Sequence, residues 1–331
     1  MDYSNFIIIL ARQRSGTNAL RSVFESHPDI FCHNEVFNLN DATSQDNPLL
    51  RETNFFNFLK TYANGDITRI YPDQHEKIFT DYLEYLRCFS SKRYIVIDVK
   101  YNTTHFLTPP YKWDVVPFLF FLIKTLGIRV LNITRKNYLR YVVSAVKAER
   151  SGIFSVKARQ AKPLDAKIPI EIDYLFRHLK NCDAENKQIE DYFVSYPFYL
   201  PFDYNDIFTP GSETLAPAFF ESFSDWLGVP NSYPGPSEYL KQSSLPLAQT
   251  IENYAEVATA LRDTEFAYCL DDEKIYAPLP VATNASRRRS NPGQNRKPSA
   301  RQKRISTARS SASKRKKSRH KTTHEKHKAN R

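Results

Sequence analysis

A short apolar segment near the start of the chain leads directly into a turn of small and basic residues. Residues 6–10 read FIIIL, a composition typical of a strand that is buried on both faces. Residues 11–20 follow as ARQRSGTNAL, with Gly16 in the turn and Leu20 on the next apolar face. Such a turn between a strand and a helix leaves backbone N–H groups unpaired at the positive end of the helix dipole. The segment therefore predicts a site for an anion such as phosphate or sulfate.

The spacing of this turn differs from that of the loop found in nucleotide triphosphatases. That loop has the pattern GxxxxGK[ST], whereas Gly16 stands alone here, so ATP and GTP are not the expected ligands. Taken alone, Arg14, Ser15, Gly16 and Thr17 are also compatible with an ordinary helix cap beside a solvated arginine. The preceding strand, the apolar helix face and the break at residues 27–29 favour the anion site.

The turn resembles the 5′-phosphosulfate loop of sulfotransferases that use PAPS (3′-phosphoadenosine 5′-phosphosulfate), in which a basic residue, Ser, Gly and Thr follow the first strand. Residues 129–134 form a second strand pattern that runs into a basic helix start, and this part resembles the family's 3′-phosphate element. The resemblance implies that Arg135 and Ser144 hold the 3′-phosphate. Their spacing of nine residues leaves Lys136 as an alternative to Arg135. A solvated basic surface is the other interpretation of this cluster.

The resemblance also implies a fold and a donor. The fold is an α/β, P-loop-like three-layer structure with a central parallel sheet flanked by helices, and the co-substrate is PAPS. Independently, the alternation of short β-rich runs with helical patterns favours such a sheet, and both basic turns should then share one of its edges. The residues implied in donor binding are Arg12, Arg14, Ser15, Gly16, Thr17, Asn18, Arg135 and Ser144.

Sulfuryl transfer needs a base for the acceptor hydroxyl and positive charge at the departing phosphate. Arg14 matches the position of the family's catalytic cation. Glu35 matches the general base of the bacterial carbohydrate branch, of the nodulation-factor and trehalose type, which residues 26–35 resemble. His33 is the competing base, because more distant relatives use histidine. A lone glutamate after a strand is also commonly a solvated carboxylate or a helix cap.

The basic charge of the chain is concentrated at its C-terminus. The whole chain carries a net charge of +11, but residues 281–331 contain 18 Lys and Arg and a single acid, Glu325. Residues 1–280 carry 29 basic and 35 acidic residues, a net charge of −6. A tail this polar cannot bury enough apolar surface to fold. We therefore expect a catalytic domain over residues 1–280 and a disordered tail over residues 281–331, which is either a solvated terminus or a contact for a polyanion.

Cysteine spacing bears on metal sites and disulfides, and the length of the apolar runs bears on signal peptides and membrane spans. The four cysteines form no CxxC pair and have no nearby His at metal-ligand spacing, so we expect reduced thiols and no metal. The apolar runs at residues 6–10 and 115–123 are too short for a signal peptide or a membrane span, which predicts a cytoplasmic protein.

The expected acceptor is a carbohydrate or another hydroxyl compound. Two alternatives stay open: a small-molecule kinase, which the missing lysine disfavours, and a polyanion-binding protein that acts through the tail.

Overall fold

The computed structural model describes residues 2–43, 47–65, 74–107, 116–154, 166–209, 212, 214–231, 235–239 and 245–271. The tail predicted over residues 281–331 lies outside these residues, and so does the domain boundary placed before it. Both stay predictions. The four cysteines, Cys32, Cys88, Cys182 and Cys269, are all free thiols, as expected.

Five strands in the described residues form one parallel sheet. They are β1 (Phe6–Ala11), β2 (Ile30–Glu35), β3 (Tyr94–Lys100), β4 (Arg129–Thr134) and β5 (Tyr199–Asp203). Their order in the sheet is β2-β3-β1-β4-β5, and every pairing is parallel. The β-rich runs of the sequence predict strands at residues 6–10, 93–99, 129–134 and 199–203, and they predict no strand at β2. The predicted α/β fold with a central parallel sheet is confirmed.

Helices connect the strands and cover both faces of the sheet. They are α1 (Thr17–Glu25), α2 (Pro48–Glu52), α3 (Phe55–Tyr62), α4 (His75–Arg87), α5 (Phe118–Thr125), α6 (Tyr138–Ser151), α7 (Ile172–Phe193), α8 (Tyr204–Ile207), α9 (Pro217–Leu227), α10 (Leu247–Thr250) and α11 (Tyr254–Leu261). Short 3₁₀ helices span Asp41–Thr43, Tyr101–Leu107 and Ala267–Leu270. Helix α9 ends at Gly228 as the sequence predicts, since this glycine takes the left-handed conformation that closes a helix.

Alternate residues of the central strand β1 face two separate apolar cores. Ile7 and Ile9 pack with residues of α1 and α9 on one face of the sheet. Phe6 and Ile8 pack with residues of α4, α5 and the end of α7 on the other face. This alternation gives the three layers of the fold. None of the helices in the described part of the chain is both long and apolar enough to cross a bilayer.

Strand β2 contains a bulge that decides where Glu35 points. Cys32 is in register with Val96 and Glu35 with Asp98, so three steps along β2 match two steps along β3. In a regular strand Glu35 would face the same side as His33, because side chains alternate. The extra residue instead returns Glu35 to the face of Cys32, which packs with α1.

Candidate functional site

The turn between β1 and α1, residues 12–16, is named the anion loop here. Arg14 and Gly16 both have a left-handed backbone, with φ of +66° and +73°. Such residues at alternate positions turn successive N–H groups towards one side. Within the described residues no side chain caps α1, and its first turn has no acidic residue. No acidic side chain therefore offsets the positive potential of the backbone N–H groups at the loop and the helix start, which suits an anion.

Ser15 gives a second sign that the anion loop is built around a ligand. The residue is 2% exposed, and its Oγ has no hydrogen-bond partner among the described residues. A buried hydroxyl without a partner is destabilising by about 1–3 kcal/mol. An anion on the loop would accept this hydrogen bond and offset that cost.

Tyr204, at the start of α8, explains why the loop needs a glycine. A Cβ atom added to Gly16 would overlap the ring carbon Cε2 of Tyr204. The guanidinium of Arg135 lies over the same ring, 5.1 Å from its centre. The tyrosine ring therefore packs against both the anion loop and the basic turn that follows β4.

Gly16→Ala is expected to reduce the free energy of unfolding by more than the roughly 1–2 kcal/mol that a left-handed alanine costs, because the methyl group must also displace Tyr204. Gly228→Ala is the matched control: its φ is +64°, and a Cβ there meets no atom within 4 Å. Urea denaturation of both variants measures the difference. Equal losses would contradict the packing of Tyr204 on the loop.

The two basic turns meet at the carboxyl edge of the sheet, as predicted. Arg135 Nη1 donates to the backbone carbonyl of Arg14 at 3.2 Å, and Arg14 Nε donates to Ser144 Oγ at 3.2 Å. Lys136 is exposed, and its backbone N–H donates to Asp203 Oδ2 at 3.0 Å. Of the two candidates for the 3′-phosphate, Arg135 is thus the one whose side chain contacts the anion loop.

Arg12 lies on the side of the loop that faces α6 and α7. Its Nη2 is 2.6 Å from Glu185 Oε2 on α7, and its guanidinium is 5.2 Å from the centre of the Tyr141 ring on α6. Arg12, Ser15 and Arg135 line a small cleft between the loop and these two helices. Three of the predicted donor-binding residues, Arg12, Ser15 and Arg135, therefore line the same cleft.

Four charged side chains form a cluster beside α1, named here the charged cluster: Arg21, Glu35, Asp98 and Lys100. Lys100 Nζ lies 2.7 and 2.9 Å from the two oxygens of Asp98 and 3.3 Å from Glu35 Oε1. It also donates to Thr17 Oγ1 at the start of α1. Arg21 Nε is 3.4 Å from Asp98 Oδ2. The cluster balances two positive against two negative groups and touches the first residue after the anion loop.

The two carboxyl groups of the charged cluster differ in basicity. Burial raises the pKa of Glu35 above its usual value, and the attraction of Lys100 opposes this only in part. Burial acts on Asp98 in the same direction, but Lys100 and Arg21 outweigh it, so the pKa of Asp98 lies below its usual value. Glu35 is therefore the carboxyl group that takes up a proton first. Its side chain is 24% exposed, whereas that of Asp98 is fully buried, so Glu35 is the one a substrate can reach.

His33 lies on the face of β2 that packs against α4. Its Nε2 is 3.3 Å from the carbonyl oxygen of Leu86, and the rings of Phe31 and Phe89 meet it edge-on. Burial lowers the pKa of His33 to about 4, so the ring is neutral at neutral pH. The bulge in β2 thus separates the two candidate bases, with Glu35 beside the anion loop and His33 in an apolar layer.

Fourteen chains of solved structures match this chain. No protein-family model and no curated protein matches the chain. Among solved structures, the chain is similar to a sulfotransferase from Alicyclobacillus acidocaldarius, at 13% sequence identity and a TM-score of 0.38, over 78% of this chain and 94% of that one. The assignment of the site rests on the contacts of this chain's own residues.

Several residues of the site were not predicted from the sequence. Neither Tyr204 nor Arg21 was assigned a role from the sequence. Asp98 and Lys100 do leave a signal, because they interrupt the apolar run IVIDVK at alternate positions and so must face the same side of a strand. Asn18, a predicted donor residue, accepts a hydrogen bond from Arg21 of the charged cluster, which lies one turn further along α1. No group of three or more potential metal ligands occurs within the residues that the structure describes.

Proposed function

We propose that the chain is a PAPS-dependent sulfotransferase that transfers a sulfuryl group to a hydroxyl of a carbohydrate or glycolipid acceptor. The observation that carries this proposal is the contact of Arg135 with the carbonyl of Arg14, which joins two basic turns more than 100 residues apart in the sequence. Together they form a cleft with positive charge at two places. A donor with phosphates at both its 5′ and 3′ positions matches this arrangement.

In this proposal the two turns hold opposite ends of the donor. The N–H groups of the anion loop and the hydroxyls of Ser15 and Thr17 bind the 5′-phosphosulfate. Arg135 and Ser144 bind the 3′-phosphate, since a planar guanidinium donates two parallel hydrogen bonds to phosphate and a serine adds a neutral donor. Arg12 completes the positive lining of the cleft.

The transfer step then uses Glu35 and Arg14. PAPS supplies the activated sulfuryl group. Glu35 accepts the proton of the acceptor hydroxyl while the acceptor oxygen bonds to sulfur and the bond from sulfur to the bridging phosphate oxygen breaks. Arg14 stabilises the negative charge that develops on the departing phosphate. Because its guanidinium contacts Ser144 and the carbonyl of Phe154, we infer that it exchanges these partners for the phosphate.

Nucleotide binding separates this proposal from the kinase alternative. Adenosine 3′,5′-bisphosphate, the desulfated donor, is expected to raise the melting temperature, because a ligand at 100 times its dissociation constant stabilises the fold by about 2.7 kcal/mol. ATP with Mg²⁺ is expected to have little effect. Adenosine 5′-phosphate is the control for the 3′-phosphate site and should bind more weakly than the bisphosphate. Stabilisation by ATP alone would favour a kinase.

The charge of residues 281–331 favours polyanion binding as a second activity. Deletion of residues 282–331 is expected to leave sulfuryl transfer intact, because every residue assigned to the reaction lies before residue 145. It should abolish salt-sensitive binding to nucleic acid, whose log affinity falls with log salt by about 0.7–0.9 for each phosphate contact. Loss of transfer in the truncated chain would show that the tail takes part in the reaction.

A further inference from the structure

Lys100 joins three parts of the site through one ammonium group. Its side chain is 3% exposed, and its Nζ contacts the carboxylate of Asp98, the carboxylate of Glu35 and the hydroxyl of Thr17. Its three N–H donors serve Thr17 and the two oxygens of Asp98, and Glu35 forms an ion pair with it at 3.3 Å. The group therefore connects the candidate base to the first residue of α1, where the anion loop ends.

We propose that Lys100 is a positioning residue of the transfer reaction: its ammonium group holds the Glu35 carboxylate beside the anion loop and fixes the charge of that carboxylate. The inference rests on the proposed function and adds to it the residue that controls the base. Lys100 itself contacts neither the donor nor the acceptor in this account.

Lys100 is bound more firmly by Asp98 than by Glu35. Both oxygens of Asp98 bind Lys100, at 2.7 and 2.9 Å, and Asp98 is fully buried and also faces Arg21. The ammonium is thus anchored within β3. Glu35 is partly exposed and binds the same ammonium through one oxygen at 3.3 Å. We assign its second oxygen to the acceptor hydroxyl.

The charges around Glu35 make Lys100 its main electrostatic partner. Lys100 and Asp98 face it from β3, Arg21 faces it from α1, and the charge of Arg14 acts on it from the anion loop. Lys100 and Arg21 favour the ionised carboxylate, whereas Asp98 and burial oppose it. Without Lys100, burial and Asp98 still raise the pKa of Glu35, and only Arg21 and Arg14 lower it. Glu35 should therefore keep its proton to higher pH.

The direct test is a titration of the Glu35 carboxyl group by NMR in protein labelled with ¹³C at the glutamate carboxyl, with the Glu35 signal assigned by its absence in Glu35→Gln. In Lys100→Met the pKa of Glu35 is expected to rise by about 1–2 units, the usual effect of losing an opposite charge within 4–6 Å. Lys100→Arg should restore most of the wild-type value. Lys92→Met is the matched control, because Lys92 lies at the opposite, amino edge of the sheet and binds the backbone carbonyls of residues 25, 27 and 30. An unchanged titration in Lys100→Met would overturn the proposal.

Activity gives the second readout. The acidic limb of the pH profile of kcat/KM should move upward in Lys100→Met by the same amount as the NMR titration, while a merely structural lysine would lower activity equally at every pH. If Lys100→Met does not fold, because it leaves Asp98 without its main partner, Asp98→Asn combined with Lys100→Met removes that buried charge and should show a smaller shift in the same direction. Absence of transfer from PAPS by the wild-type protein refutes the proposed function. An acidic limb that stays in place in an active variant refutes the role of Lys100 alone.

Discussion

Arg14→Met is expected to lower kcat/KM for sulfuryl transfer about 10²- to 10³-fold, the loss usually seen when one donor to a developing negative charge is removed. The left-handed backbone of Arg14, with its carbonyl bound by Arg135, fixes this residue at the centre of the anion loop. In the proposed reaction its guanidinium stabilises the departing phosphate. Initial rates with a labelled PAPS donor measure the effect.

Arg93→Met is the control for the loss of an arginine. Arg93 precedes β3 at the opposite, amino edge of the sheet, where it lies 5.0 Å from the centre of the Tyr94 ring. This variant should keep its activity and its response to adenosine 3′,5′-bisphosphate. Activity within threefold of wild type in Arg14→Met would remove Arg14 from the transfer step, even if donor binding stayed normal.

Glu35→Gln is expected to lower turnover about 10²- to 10⁴-fold, since a positioned general base contributes a factor of that size. The amide keeps the shape of the side chain and a hydrogen-bonding oxygen towards Lys100, but it cannot accept the proton of the acceptor. Binding of adenosine 3′,5′-bisphosphate should be almost unchanged, because the nucleotide is bound by the anion loop and by the turn after β4. We therefore expect kcat to fall while adenosine 3′,5′-bisphosphate still raises the melting temperature as it does in the wild type.

Two further variants make this result specific. Glu84→Gln removes a half-buried acid of α4 that pairs with Arg87 at 3.7 Å, and its activity should not change. His33→Asn tests the competing base and should lower stability more than it lowers turnover, because His33 is buried in an apolar layer. If His33→Asn folds and loses turnover while Glu35→Gln keeps it, the roles of the two residues are the reverse of those proposed.

The sequence was sufficient to predict the sheet type, the buried strand β1 and the helix that ends at Gly228, because each has a strong apolar period and a clear end signal. It was not sufficient for β2. The second half of that strand is polar, and its bulge interrupts the alternation by which a half-buried strand is recognised. The direction of Glu35 depends on that bulge and on its register with β3, which are tertiary properties.

The anion loop could be predicted because the residues that form it are consecutive in the sequence. The charged cluster could not, since Arg21, Glu35 and Lys100 come from three elements that only the sheet order brings together. The alternation of Asp98 and Lys100 within an apolar strand was a usable signal, because buried charges require partners. The contact of Tyr204 with Gly16 was not predicted, because it depends on how α8 follows β5.

A crystal structure with adenosine 3′,5′-bisphosphate tests the central claim most directly, since that claim is a location for two phosphates. We expect the 5′-phosphate on the N–H groups of the anion loop beside Ser15, and the 3′-phosphate on Arg135 and Ser144. A nucleotide bound away from Arg14 and Arg135, or no binding at millimolar concentration, would contradict it.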